Sequence, residues 1–323
     1  MLDEGGCGVM EDPLSAHSGK RVLKVMAMSN SLGRGTFNVT PLLRWTFDCV
    51  IRHTQSARRR FILHPALLCL VAVTAAWVPD ANAGPSVLDG ATEAYRRHLI
   101  EDLGRALTGA KLLRDRLEAH DLDGAKRAWI ESRIGWERSE VFTSGFVPDL
   151  DREIDAWPNA RHGFHGIEAT LFGANRTDAR EETDALIAHL ADLYAQIHDI
   201  PLPPQRLLNG IARLAFEIGG SKADGGESRL SGTSLNDMQS NADGIALAYQ
   251  IVFSEAFEAD APDLAEAARA AILRLQAAVR VVALRNIESE KLRADSEALV
   301  AILRRAAPAI GLDQPALEEA AAQ

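Results

Sequence analysis

Residues 161–173 read Arg161-His162-Gly163-Phe164-His165-Gly166-Ile167-Glu168-Ala169-Thr170-Leu171-Phe172-Gly173. His165 and Glu168 stand three residues apart among apolar and small neighbours. In a helix that spacing puts both side chains on one face. An imidazole nitrogen and a carboxylate oxygen then converge, which is how a helix inside a bundle offers ligands to a divalent metal. The same spacing also describes an ordinary helical pair, so its meaning depends on what surrounds it. The run is expected to be helical from Arg161 to Phe172 and to end on Gly173 as the glycine that follows a helix. His162 is expected to be exposed or to support the site rather than to bind.

Working outward, Leu99, Leu103, Ala106, Ala110, Leu113 and Leu117 alternate at spacings of four and three. That is a bundle seam and predicts one long helix over 88–119. His120-Asp121-Leu122-Asp123-Gly124 interrupts it. A second helix is predicted over 123–141, with Ala125, Ala128, Trp129, Ser132, Trp136 and Ser139 on one stripe. So short a connection makes the two antiparallel neighbours. Glu131, Glu137 and Glu140 lie on this second helix, the last two again three apart. With Arg133 and Arg138 interleaved, they read on sequence alone as a solvated face. Trp129, Trp136 and Trp157 read as core packing.

Beyond residue 173, helices are predicted over 178–198, 205–218, 234–257, 262–285 and 287–305. Pro308 and Gly311 predict a turn before a short terminal helix. Ile200-Pro201-Leu202-Pro203-Pro204 is a stiff linker and the expected boundary between halves 84–200 and 205–323. The glycine-rich stretch 219–232 delivers Glu227 either to a cleft or to the cap of the next helix. Asn241 and Asp243 break the apolar pattern of that helix, and one of them is expected to bond across to the other half. No stretch shows the alternation of a strand. The predicted class is therefore all-α, an antiparallel helical bundle of two four-helix-bundle-like halves.

Residues 52–83 read as an export signal. Arg52, Arg58, Arg59 and Arg60 precede the apolar run Phe61 to Val78, and Ala81-Asn82-Ala83 is a cleavage site. Ala57-Arg58-Arg59-Arg60-Phe61-Ile62-Leu63 also fits a twin-arginine motif. A signal starting fifty residues in implies that residues 1–51 are either a disordered leader or the product of a mis-assigned start codon, the real start then lying near Val50–Arg52. The chain has 35 Lys/Arg and 45 Asp/Glu, of which nine and six lie in the first 83 residues. Residues 84–323 thus carry 26 basic and 39 acidic side chains, net −13. That charge disfavours nucleic acid and anionic lipid and suits a handler of cations, or simple solubility. Cys7, Cys49 and Cys69 all precede the cleavage site. A metal in the remainder must be held by His, Glu and Asp.

Gly163-Phe164-His165-Gly166-Ile167-Glu168 with Leu171-Phe172-Gly173 resembles the G-x-H-x-x-E signature of the imelysin family. Glu227, Ser231, Leu235, Asp237, Asn241 and Gly244 are similar to that family's later block. The family includes periplasmic iron-uptake proteins and imelysin-type peptidases. It also has a W/Y-E-x-x-E segment followed by L-D-x-x-I-D. Here these are Trp136-Glu137-Arg138-Ser139-Glu140 and Leu150-Asp151-Arg152-Glu153-Ile154-Asp155. The resemblance implies a metal site of Glu137, Glu140, Asp155, His165 and Glu168. It departs from the iron-uptake pattern after Asp155, where Ala156-Trp157-Pro158-Asn159 replaces an arginine-containing run. It implies an exported protein that binds ferrous or ferric iron, or copper or zinc. The partner would be an inner-membrane iron permease or a peroxidase. Two alternatives remain, a metallopeptidase and an extracytoplasmic ligand-binding module. The H-E-x-x-H of zinc peptidases is absent from the sequence.

Overall fold

A computed structural model describes residues 87–155 and 161–317. The export signal, the start and Trp157 lie outside the described residues. The first helix, α1, runs Val87–Glu118 and buries Leu99, Leu103, Ala106, Ala110, Leu113 and Leu117, the seam read from the sequence, together with Tyr95. Each such Leu contributes about 1.5–3 kcal/mol by leaving water. His120 turns the chain at φ 55, and the Asp121 side chain accepts the Gly124 N–H at 2.9 Å to start α2, Leu122–Phe146. Helix α2 lies along α1 and is longer than its apolar stripe suggested.

A short helix not legible as one, α3, follows at Pro148–Ile154. Pro148 fills a first-turn position where no N–H is needed, and Asp149 and Asp151 favour the same end. Only Ile154 of this helix is buried, so the sequence shows no periodic stripe. Its C-terminal cap is Asp155. Helix α4, Gly163–Glu168, continues into a π-helical turn, Ala169–Gly173. Gly173 is therefore inside the turn rather than after it, and the left-handed residue is Asn175 at φ 52. Gly163 is the glycine with a conformational reason. Its φ is +62, and a Cβ there would meet the Ile154 carbonyl oxygen at 2.3 Å. That contact brings the start of α4 against the end of α3.

Helix α5, Arg180–Gln196, packs on α1, and α6, Pro204–Gly219, packs on α2. Helix α7, Ser234–Ala248, lies across α2 and runs through a second π turn, Tyr249–Phe253, into α8, Ser254–Asp260. Helix α9, Pro262–Val279, stops six residues before the predicted end. Past Val279 the chain leaves the helix: Val282 is 98 % exposed, while Leu284 and Ile287 pack only partly against the core. Helix α10, Ser289–Ala306, packs on α6 and α9. A 3₁₀ turn follows at Ala307–Ile310, but residues 312–317 are not helical, so the expected terminal helix is absent as far as Leu317. Among the described residues there is no strand, and no helix is long and apolar enough to cross a membrane.

Candidate metal centre

The second helix places Trp129, Arg133 and Glu137 one turn apart on its inner face, with Glu140 one turn further. Asp155 comes to them from the end of α3, and His165 and Glu168 from α4. Oxygens of Glu137, Glu140 and Asp155 all lie within 4.8 Å of one another. Glu137 is fully buried, so the expectation of a solvated face fails for it and for Arg133, which is 1 % exposed. Glu131 alone of the three glutamates faces water.

Asp155 is clamped at both oxygens. Oδ1 accepts from Arg133 at 2.6 Å and lies 3.3 Å from His165 Nε2, while Oδ2 accepts from Trp136 Nε1 at 2.8 Å. The other histidine nitrogen, Nδ1, is 3.1 Å from Glu168 Oε2. Glu168 Oε1 in turn accepts the Ser231 N–H at 2.8 Å and its hydroxyl at 2.7 Å. The His165–Glu168 pair is thus one face-sharing unit, joined to the three-carboxylate cluster through Asp155. The structure brings all five expected residues into one network, with Glu168 at its far end. His162 is half exposed and turned to the Arg152 carbonyl.

The block at 227–244 supplies the supports. Asn241 Nδ2 donates to the Glu137 carbonyl and Oε2, both at 2.9 Å, and to Glu140 Oε2 at 2.8 Å. The expected bond across from this helix is therefore made by Asn241; Asp243 instead accepts from Gln276 and Arg280. Asp237 pairs with Arg133 at 3.4 Å and accepts from Ser228. Gly244 permits the approach, since a Cβ there would sit 2.4 Å from the Arg138 carbonyl oxygen. Glu227 does not cap α7; it reaches Lys222 Nζ at 2.8 Å. The same ammonium is 2.9 Å from Glu140 and 3.6 Å from Glu137.

Two cations are therefore central: Arg133, which the sequence placed on a solvated face, and Lys222, which the sequence reading did not single out. Arg133 pairs with Glu137, Asp155 and Asp237 and lies over Trp129 and Phe164, 5.4 and 5.3 Å from their ring centres. Its place on the Trp129–Arg133–Glu137 stripe was a usable signal. Lys222 stands alone in a glycine-rich stretch and gave none.

The charges do not cancel by pairing alone. Glu137, Glu140, Asp155, Glu168, Glu227 and Asp237 face Arg133, Lys222 and His165. Burial pushes up Glu137 and Asp237, and lifts Glu140 to about 8 against the pull of Lys222. Burial also opposes ionising Asp155 and Glu168. For Asp155, Arg133 and His165 outweigh it, and for Glu168, His165 and Ser231 do; both stay low. Burial would lower His165, yet its bonds to Asp155 and Glu168 raise it to about 9. Burial thus favours protons on Glu137, Glu140 and Asp237, and a multivalent cation could take the place of such protons. Donors of this kind, hard oxygens beside one imidazole, fit iron or manganese better than a soft-ligand metal.

Glu140, Asp155, Lys222 and Glu227 are among the residues that line a cleft of about 470 Å³. Thr143 Oγ1 and Ser144 Oγ also line it and have no hydrogen-bond partner. Thr143 is 1 % exposed, and a buried hydroxyl left unpaired is costly unless a bound species completes it.

This fold and these two blocks define the class. The family profile described as Imelysin matches residues 91–162 and 159–309, and the chain belongs to that family. Among curated proteins it is similar to the iron uptake system component EfeO. Identity is 33 % over 167 residues with that of Escherichia coli O157:H7, and 32 % with those of Escherichia coli K12 and Shigella flexneri. Each alignment covers 49 % of this chain and 44 % of the relative, so the chain matches less than half the length of these relatives. A Parabacteroides distasonis protein provisionally named iron-regulated protein A precursor shares the fold. Its crystal structure aligns with a TM-score of 0.58 at 16 % identity, over 72 % of this chain and 96 % of that one.

Proposed function

We propose that this chain is an exported iron-binding protein that captures ferrous or ferric iron in the periplasm for uptake. Glu137, Glu140 and Asp155 would hold the ion. His165 would join them or fix Asp155 in place, and Glu168 would orient His165. The observation that carries this reading is the cluster of three carboxylates within 4.8 Å at the edge of a cleft, in a network with more acids than cations. Carboxylates neutralise the ion's charge, and the imidazole favours transition metals over calcium and magnesium. Divalent copper and zinc would compete for these nitrogen and oxygen donors, so selection of iron rests on geometry and supply rather than on raw affinity. The name of the EfeO relatives, iron uptake system component, supports iron as the cargo, and an inner-membrane permease is the recipient in this proposal. The basic and apolar run over 52–83 supports export.

The test is uptake of radioactive ferrous iron by cells lacking the gene and complemented with wild type or with Glu140→Gln/Asp155→Asn. Wild type should restore uptake and locate to the periplasmic fraction, and the double variant should do only the latter. Full restoration by the double variant would overturn the assignment.

A further inference from the structure

The Lys222 ammonium already pairs with two of the three carboxylates assigned to the ion, Glu137 and Glu140. Its Nζ lies 2.8 Å from Glu227, 2.9 Å from Glu140 and 3.6 Å from Glu137. The side chain is 6 % exposed, and two of those three glutamates line the cleft. We propose that Lys222 is a tethered competitor for the metal: the ion enters by displacing its ammonium, and the ammonium's return helps expel the ion. This inference rests on the carboxylate cluster being the metal site.

The local structure allows such an exchange without unfolding. The backbone of Lys222 is anchored in the turn after α6, its N–H to the Glu217 carbonyl at 3.0 Å and its carbonyl to the Gly225 N–H at 3.0 Å. Only the side chain needs to move, and the four-carbon stem rotates freely once its head is released. The adjoining cleft, about 470 Å³, has room to receive it. Valence then decides which ions succeed. A monovalent ion offers the carboxylates no more charge than the ammonium already does, whereas a divalent or trivalent ion offers more. The arrangement therefore rejects sodium and potassium. It also weakens multivalent binding, which suits a protein that must pass its cargo on. Asn241 is the fixed counterpart, holding Glu137 and Glu140 in place whichever cation is present.

Two measurements test the idea. Ferrous iron is titrated anaerobically by calorimetry into wild type and Lys222→Met, which keeps the stem and removes the charge. Circular dichroism confirms the fold of each. The variant should bind at least tenfold more tightly. Equal or weaker binding by a folded variant would overturn the competitor role while leaving the metal site standing. Absence of binding to both proteins would remove the metal reading, and this inference with it. The second measurement needs no variant. Reductive methylation of wild type, read peptide by peptide, should modify Lys222 slowly without iron and several-fold faster with it. Lys222 equally protected in the iron-saturated protein would contradict displacement.

Discussion

Replacing Arg133 by methionine isolates the charge at the centre of the network. Methionine retains most of the packing between Trp129 and Phe164 but leaves Glu137, Asp155 and Asp237 without their shared partner. Unit charges about 4 Å apart interact by about 4 kcal/mol at an effective dielectric near 20. The loss is capped, because a stranded carboxyl can take a proton instead. Protonating an acid of ordinary pKa at pH 7 spans roughly three pK units, or about 4 kcal/mol. The expected cost is therefore about 3–5 kcal/mol at pH 7, the range found when one partner of a buried pair is removed. In a domain of this size that lowers the melting temperature by roughly 6–20 °C. The sign with pH follows. An acid whose folded pKa is raised stabilises the fold at low pH and loses that contribution as pH rises through the folded value. Near pH 5 the cost should shrink to about 1–2 kcal/mol, because little further free energy is needed to protonate the acid. Urea unfolding at both pH values measures this. A cost below about 1 kcal/mol at pH 7, or one independent of pH, would refute the charge network as described.

Other outcomes follow from the same contacts. Glu140 near 8 and His165 near 9 hold protons at neutral pH, so iron binding should release about one proton or more at pH 7 and tighten as pH rises to 8. Calorimetry in buffers of different ionisation enthalpy measures the release, and an affinity flat from pH 6 to 8 would contradict it. In the metal-free protein, His165 is raised above its unfolded value. Its contribution is complete below about pH 6.5 and lost by about pH 9, so thermal stability should fall across that window. Ser231→Ala removes one of two bonds to Glu168 and should cost about 1–2 kcal/mol in denaturant unfolding; no change would mean that Glu168 is held otherwise. Gly244→Ala forces a Cβ toward the Arg138 carbonyl and should cost about 1–3 kcal/mol while weakening metal binding through Asn241; a fully stable variant would show that α7 can shift freely.

The sequence exposed the long periodic elements because their cores are written in one repeating stripe. The seam from Leu99 to Leu117 is buried as read. What it concealed were features set by single tertiary contacts. Helix α3 buries only Ile154, so no period marks it, yet it carries Asp155 to the site. Charge alone placed Arg133 on a solvated face, because the sequence cannot show that α3, α4 and α7 would bring acids over it. Lys222 entered through a turn with no pattern at all. The residues at 227–244 were recognisable as a block, but their work became visible only through geometry. Asn241 steadies Glu137 and Glu140, Ser231 holds Glu168, and Gly244 lets α7 close on α2.

The central claim is that Glu137, Glu140 and Asp155 together hold an ion. Its most direct test is anaerobic titration of ferrous iron into wild type and into Glu140→Gln/Asp155→Asn, each confirmed folded. One ion per chain in the wild type, with binding lost in the double variant, is the predicted result. The same stoichiometry and affinity in both would contradict the account and leave the cluster a structural charge network.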